Sequence, residues 1–223
     1  MAREKLDDKI KRGKAIIRLL RKHYPGAKTS LSYETVHQLM VATILSAQCT
    51  DERVNMVTPS LFAKYRSIES FADADLDQLA QDIFTTGFHN SKAKSIKNSA
   101  RALLEQHGGK VPRTLDELTR LPGVGRKTAS VILGNAWGIA EGIVVDTHVG
   151  RISRRLGFTS EKDPVKVEKD LMKIIPRKDW IDLSHMLILH GRSLCPARKP
   201  DCAGCFLSRL CPSSESQERR EPR

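Results

Sequence analysis

Four cysteines lie close together near the C-terminal end of the 223-residue sequence. They are Cys195, Cys202, Cys205 and Cys211. A loop of this length can bring four thiolates together, which is a ligand set of zinc or of an iron–sulfur cluster. Structural zinc sites usually contain two C-x-x-C pairs, and only one such pair is present here. The spacing therefore favours an iron–sulfur cluster, with zinc or unrelated thiols as the alternatives.

A second segment with chemical potential is Leu-Pro-Gly-Val-Gly-Arg-Lys-Thr-Ala at 121–129. Its glycines, Gly123 and Gly125, allow backbone N–H groups to approach an anion closely. They precede an apolar periodic stretch, so the N–H groups would lie at the start of a helix, where phosphate binds favourably. A plain turn is the alternative interpretation.

Lys127 and Asp146 are the candidate reactive side chains. Like charge from Arg126, together with burial, is expected to favour the neutral amine of Lys127. A neutral amine is a nucleophile that can form a Schiff base with a sugar aldehyde carbon. Asp146 follows nineteen positions later in Val-Val-Asp-Thr-His. The simpler alternatives are a phosphate-binding lysine and an aspartate that caps a helix.

Apolar spacing along the chain predicts an all-α protein with about nine or ten helices and no strand. Thr114 and Glu117 form a capping-box pattern, so a short helix should lead into the glycine turn, and a second helix should begin near Arg126. A further helix is expected to begin at Asn90 or Ser91. The basic residues on its outer face are interpreted as solvated or as facing phosphate: Lys92, Lys94, Lys97 and Arg101.

Composition narrows the class of partner. The formal net charge of +12 and the pI near 9.7 point to a polyanion such as nucleic acid. The sequence has no long apolar run and no apolar segment at its start, so we expect an intracellular protein that does not enter a membrane. The polar segment 213–223 is predicted to be disordered.

The motifs together resemble the bacterial endonuclease III family. They are the 121–129 segment, Val-Asp-Thr-His at 145–148, Leu-Ser-Ala-Gln at 45–48, Ile-Leu-His-Gly-Arg at 188–192 and the cysteine spacing. The resemblance spans roughly 7–211. It implies a base-excision DNA glycosylase with AP-lyase activity on oxidised pyrimidines in double-stranded DNA. It also implies a monomer in the bacterial cytoplasm, associated with the nucleoid through DNA.

The resemblance assigns roles to individual residues. Lys127 matches the Schiff-base lysine, and Asp146 matches the aspartate that assists it. Gln48 matches a residue that enters the gap left by the extruded nucleotide, and Phe88 stands at the position of a wedge in the duplex. The hairpin implied to hold DNA comprises Leu121, Gly123, Val124 and Gly125, and the basic loop beside the cluster carries Arg198 and Lys199. The four cysteines correspond to the ligands of a 4Fe-4S cluster.

The fold implied is the helix-hairpin-helix DNA glycosylase fold. It comprises a six-helix domain at 30–139, with the hairpin motif at about 114–137, and an iron–sulfur cluster domain made from 1–29 and 140–212, with a cleft between the two. Three departures accompany the resemblance: Phe88-His89 replaces a Leu-Tyr pair, Cys49 replaces a small residue, and one extra residue lies around 140–142. Two alternatives stay open, a monofunctional mismatch glycosylase and a non-catalytic DNA-binding protein with a structural metal.

Overall fold

The computed structural model describes residues 4–214, and the fold in this range is all-α, as predicted. Eleven α-helices and three 3₁₀ turns lie wholly within it, residues 212–214 are also helical, and no strand occurs among the described residues. The first six helices are α1 (Leu6–His23), α2 (Val36–Leu45), α3 (Asp51–Lys64), α4 (Ile68–Ala72), α5 (Leu76–Asp82) and α6 (His89–His107). The others are α7 (Leu115–Arg120), α8 (Arg126–Trp137), α9 (Thr147–Arg155), α10 (Pro164–Ile174) and α11 (Trp180–Ser193). The 3₁₀ turns are Phe84–Thr86, Arg177–Asp179 and Ser208–Leu210.

The chain divides into two compact units. The continuous unit is 29–141, and the split unit joins 1–28 to 142–223. The division falls within the 140–142 connection where the extra residue was noted. Each unit has its own set of packed helices.

The continuous unit is built around α2, which has eight buried residues out of ten. A helix that is apolar on nearly all sides must be surrounded, and α2 packs against α3, α6 and α8. Helix α6 also covers α4 and α5. Thr35 caps α2 by accepting a hydrogen bond from the N–H of Gln38. The core of this unit therefore supports both the start of α6 and the turn before α8.

The predicted hairpin is confirmed in the continuous unit. The Thr114 hydroxyl accepts the N–H of Glu117 at 3.3 Å, α7 ends at Arg120, and α8 begins at Arg126. Gly123 has a φ of 77°, which an L side chain rarely adopts. A Cβ on Gly123 would lie 2.5 Å from the Cβ of Ser95 on α6. Both the turn and its packing on α6 therefore require glycine.

The split unit is held together by close helix contacts. Helix α11 packs against α9, and α1 packs against α10 and α11. A Cβ on Gly191 of α11 would lie 2.6 Å from Nδ1 of His148 on α9, so glycine permits this close approach. The Arg12 guanidinium of α1 donates to the carbonyls of Leu156 at 2.7 Å and Leu210 at 3.1 Å. Helix α1 is thereby joined to the end of α9 and to the segment before Cys211.

Two local predictions are wrong. Helix α6 begins at His89 rather than Asn90 or Ser91, because Phe88 adopts a left-handed conformation at the N-cap position. Disorder does not begin at Ser213, since its hydroxyl donates to the carbonyl of Arg155 at 2.8 Å and Ser214 is 4% exposed. The remainder of the predicted tail, 215–223, lies outside the described residues.

Candidate functional site

The hairpin before α8 presents backbone donors. In the described part of the chain, the N–H groups of Gly123 and Gly125 donate to no backbone carbonyl. Gly125 is the N-cap of α8 and has no side chain to cap it, so first-turn N–H groups of the helix also lie at this end. A Cβ on Gly125 would meet no atom of the chain within 4 Å. The glycine therefore keeps the approach to these donors open to an anion.

Leu121 and Val124 have a different role from the one expected. Their side chains are buried in the core of the continuous unit. The N–H of Val124 donates to the carbonyl of Leu121, and the N–H of Leu121 donates to Leu118, each at 3.1 Å. Neither residue has a side chain or an N–H left to bind phosphate. Among the four hairpin residues, Gly123 and Gly125 therefore keep open N–H groups, and their contact with DNA stays a prediction.

Lys127 is the second residue of α8 in the continuous unit, and its side chain is exposed. The expected burial of its amine is therefore wrong. The first turn of a helix is mostly solvent-facing unless another element covers it, and the sequence pattern gave no covering element for this face. The exposed position leaves the amine accessible to a large substrate.

Asp146 lies in the split unit as the N-cap of α9, as its alternative interpretation predicts. Its Oδ1 accepts the N–H of Val149 at 2.7 Å, which fixes the orientation of a half-buried carboxylate. Burial lowers the pKa of the neighbouring His148, and the negative charge of Asp146 opposes that shift. The carboxylate is therefore held on a rigid helix start rather than on a free loop.

Three predicted contact residues share an uncommon backbone conformation. Gln48, Phe88 and Lys199 have φ values of 53°, 51° and 49°, and they are the non-glycine residues with positive φ within 4–214. All three are exposed. Left-handed backbone costs a non-glycine residue about 1 kcal/mol, and such residues cluster at functional sites. Gln48 and Phe88 belong to the continuous unit and Lys199 to the split unit.

The four cysteines line one cavity in the split unit. Its wall also includes Arg155 and His190. Burial raises the pKa of the thiols of Cys202, Cys205 and Cys211, so ligation of a metal there must displace protons. No group of three or more His, Cys, Asp or Glu side chains in residues 4–214 is placed to hold one metal ion.

Arg155 organises the first part of the cysteine loop. One guanidinium nitrogen donates to Sγ of Cys195 at 3.0 Å and to the carbonyl of Pro196 at 2.7 Å, and the other donates to the carbonyl of Ala197 at 2.9 Å. Arg198 and Lys199 follow directly and are exposed. Arg151 lies four positions before Arg155 on α9, and it donates to the carbonyl of Cys195 at 2.9 Å. Sequence reasoning missed both arginines, although their spacing on one helix face was an available signal.

His190 contributes a neutral side chain to the same wall. Its Nε2 lies 3.7 Å from Sγ of Cys205, and its Nδ1 lies 3.2 Å from the hydroxyl of Tyr24. Burial lowers the pKa of His190 to about 4. The ring is consequently neutral near pH 7 and adds no positive charge beside the thiols.

The basic residues of α6 do not all lie on a solvated outer face, which was one of the two interpretations of the sequence. Lys92 is buried, and its amine donates to two backbone carbonyls. Lys97 donates to the carbonyl of Ala74 and Arg101 to that of Ala72. Lys94 and Arg101 are exposed, and Lys97 is half-buried. Lys92 is therefore excluded from an outer face of α6, and a phosphate-facing role of the other three stays a prediction.

Comparison with known proteins identifies the family. Residues 41–177 match the model of the HhH-GPD superfamily base excision DNA repair protein. The chain is 50% identical over 212 residues to endonuclease III of Synechocystis sp., covering 95% of this chain and 97% of the relative. The chain belongs to the endonuclease III family. It is also 40% identical to endonuclease III of Escherichia coli K12 over 200 residues, covering 90% of this chain and 94% of that one.

Solved structures of the endonuclease III family have the same fold. A non-covalent endonuclease III–DNA complex matches with a TM-score of 0.89 at 40% identity, covering 95% of this chain and 99% of that chain. A trapped covalent endonuclease III–DNA intermediate matches with a TM-score of 0.88 at 41% identity, covering 94% and 99%. A thermostable thymine-DNA glycosylase matches at 0.81 and 25% identity, covering 92% and 98%. Residues 4–214 contain no helix of the length and apolarity needed to cross a bilayer.

Proposed function

We propose that this member of the endonuclease III family is a DNA N-glycosylase with AP-lyase activity that removes oxidised pyrimidines from double-stranded DNA. The observation that carries the proposal is the exposed amine of Lys127, which lies on the first turn of α8 directly after the open N–H groups of Gly123 and Gly125. A phosphate bound by these N–H groups would fix the DNA strand beside a nucleophile.

Contact with DNA involves residues on several loops. The hairpin glycines bind a backbone phosphate, while Arg198 and Lys199 add positive charge from the cysteine loop. Gln48 and Phe88 enter the duplex where the damaged nucleotide leaves it. Extruding a nucleotide costs a few kcal/mol, least for a damaged base, and side chains that fill the gap offset this cost.

The chemistry uses the two proposed catalytic residues. With assistance from Asp146, the ammonium group of Lys127 first loses a proton. The neutral amine then attacks C1′ as the C1′–N bond breaks, and the base leaves with the bonding electrons and takes up a proton. Asp146 stabilises the positive charge that develops on the sugar. Ring opening gives a Schiff base between Nζ and C1′. Loss of a proton from C2′ then eliminates the 3′ phosphate, and water hydrolyses the Schiff base.

The four cysteines would hold a 4Fe-4S cluster. Each iron of such a cluster takes one thiolate, so the ligands surround a volume and need not converge on a single point, which suits thiols that line a common cavity. The donated hydrogen bond from Arg155 to Sγ of Cys195 supplies positive charge next to a thiolate. The cluster would give the loop of Arg198 and Lys199 a fixed shape. Purified protein is expected to contain about four irons per chain, whereas stoichiometric zinc would contradict the assignment.

Cleavage of a labelled duplex that contains one oxidised pyrimidine tests the reaction. A glycosylase with lyase activity breaks the strand without further treatment, a monofunctional glycosylase leaves a site that breaks only in hot alkali, and a non-catalytic binder gives neither product. We expect direct breakage by the wild type. A lesion panel with mismatched and deaminated bases would define the substrate range.

Lys127→Arg sharpens the test. Arginine keeps the positive charge for phosphate but stays protonated and cannot form a Schiff base. We expect Lys127→Arg and Lys127→Ala to lose direct breakage, with Lys127→Arg retaining most of the affinity for DNA. Lys11→Ala, which removes an exposed lysine of α1, is the matched control and should cleave as the wild type does. Direct breakage by Lys127→Arg would exclude Lys127 as the nucleophile.

A further inference from the structure

We propose that Lys92 is a positioning residue that ties together the two loops carrying Gln48 and Phe88, so that both side chains enter the duplex as one rigid unit. The inference rests on the proposed function, because it assigns these loops to DNA. All of the residues concerned belong to the continuous unit.

Lys92 lies in the first turn of α6 and is 5% exposed. A buried lysine is rare unless its amine is satisfied by hydrogen bonds. The Nζ of Lys92 donates to the carbonyl of Leu45 at 2.7 Å and to the carbonyl of Thr86 at 2.8 Å. No carboxylate of the described residues pairs with this amine, so both bonds are made to backbone.

Both acceptors are the last residues of their elements. Leu45 ends α2, and Thr86 ends the 3₁₀ turn Phe84–Thr86. Terminal carbonyls have no partner within their own helix and carry the negative end of its dipole, so an ammonium group is a favourable partner for them. One amine thus closes two helix ends that are 41 residues apart in the sequence.

The loops leave these two ends at once. Gln48 follows Leu45 by three residues, and Phe88 follows Thr86 by two. Each has left-handed backbone, with φ of 53° and 51°. Strained conformations persist only where the surrounding structure holds the flanking residues in place. Lys92 supplies that constraint to both loops, and it also lies within the helix that Phe88 caps.

Lys97 provides a matched control on the same helix. Its amine also donates to a backbone carbonyl, that of Ala74 at 2.5 Å, between α4 and α5 and remote in sequence from the Gln48 and Phe88 loops. Lys92→Met and Lys97→Met therefore each remove one charge and its carbonyl contacts from α6. Lys92→Met releases the loops that carry Gln48 and Phe88, whereas Lys97→Met releases the segment between α4 and α5.

The test compares two substrates. A duplex with one abasic site requires insertion of Gln48 and Phe88, whereas a single strand with the same site has no stacked partner to replace. We expect Lys92→Met to lower kcat/KM on the duplex about 10- to 100-fold, as small misplacements of contact residues do. Cleavage of the single strand should fall far less, and Lys97→Met should leave the ratio of the two rates as in the wild type.

A merely structural role would reduce the folded fraction and would lower both rates by the same factor. An unchanged ratio of the two rates in Lys92→Met would therefore overturn the inference. If Lys92→Met does not fold, the same two rates are measured for Lys92→Gln, whose side-chain amide keeps an N–H donor group. The measurement is made below the melting temperature of that variant. Failure of the wild type to cleave either substrate would instead reject the proposed function.

Discussion

Left-handed backbone marks residues that the sequence motifs had already indicated. Gln48, Phe88 and Lys199 share this conformation, and each is exposed, so packing of their side chains does not account for it. A strained residue on a surface is retained at a cost of about 1 kcal/mol. The conformation fits side chains that must leave the surface in a fixed direction, which is what contact with DNA requires.

A buried histidine should control part of the pH dependence of stability. His37 on α2 is 9% exposed, and burial lowers its pKa to about 4. Its Nε2 is buried and has no hydrogen-bond partner in the described chain. The unfolded state, with a pKa near 6.5, gains a proton first as the pH falls, so stability is lost between about pH 6.5 and pH 4. In His37→Leu, the fall in the free energy of unfolding over this pH range should be smaller by about 2 to 3 kcal/mol.

Urea unfolding of wild type and His37→Leu at pH 7.5 and pH 4.5 measures the difference. Other groups titrate in both proteins and cancel in the comparison. His107→Leu, at the end of α6 and not buried, is the matched control. Equal pH dependence in all three proteins would show that His37 is protonated in the folded state.

At the scale of elements, the two hairpin glycines should respond differently to alanine. Gly123→Ala places a Cβ at positive φ and 2.5 Å from Ser95, so we expect it to lower the free energy of unfolding by about 2 kcal/mol or more. Gly125 has a φ of −82°, and a Cβ there would meet no atom within 4 Å. Gly125→Ala should therefore change the free energy of unfolding by less than about 1 kcal/mol.

Gly125→Ala should weaken the binding of DNA although it changes the stability of the protein little. The methyl group of Gly125→Ala would occupy the space through which phosphate approaches, so binding of abasic duplex should weaken in a protein that folds normally. Thermal unfolding and a titration with labelled duplex measure both effects. Binding of Gly125→Ala with wild-type affinity would show that phosphate does not reach this helix start.

Helices with local signals were predictable from the sequence. Thr114 caps α7 as expected, since a cap involves residues only three positions apart. Helix α4 was missed because five residues are too few to show a helical period. Lys92 was assigned to an outer face of α6, and the contacts of Arg155 were not predicted, because the partners of both side chains are distant in the sequence and the local pattern does not place them.

At the scale of the whole molecule, charge and motif combination identified the protein class without the fold. A net charge of +12 indicated a polyanion, and five separate motifs together indicated one family, which the comparisons confirm. Of the two residues proposed to carry out the chemistry, Lys127 belongs to the continuous unit and Asp146 to the split unit. The sequence named both residues as candidates, and this assignment stays a prediction. It did not predict the exposure of Lys127, which depends on what covers the start of α8.

Reduction with borohydride during reaction with abasic duplex DNA, followed by peptide mapping of the adduct, tests the central claim most directly. A Schiff base is reduced to a stable secondary amine, so the modified lysine can be located by mass. We expect one DNA-linked peptide, with the sugar attached at Lys127, and no adduct in Lys127→Arg. An adduct at another lysine, or none with the wild-type protein, would contradict it.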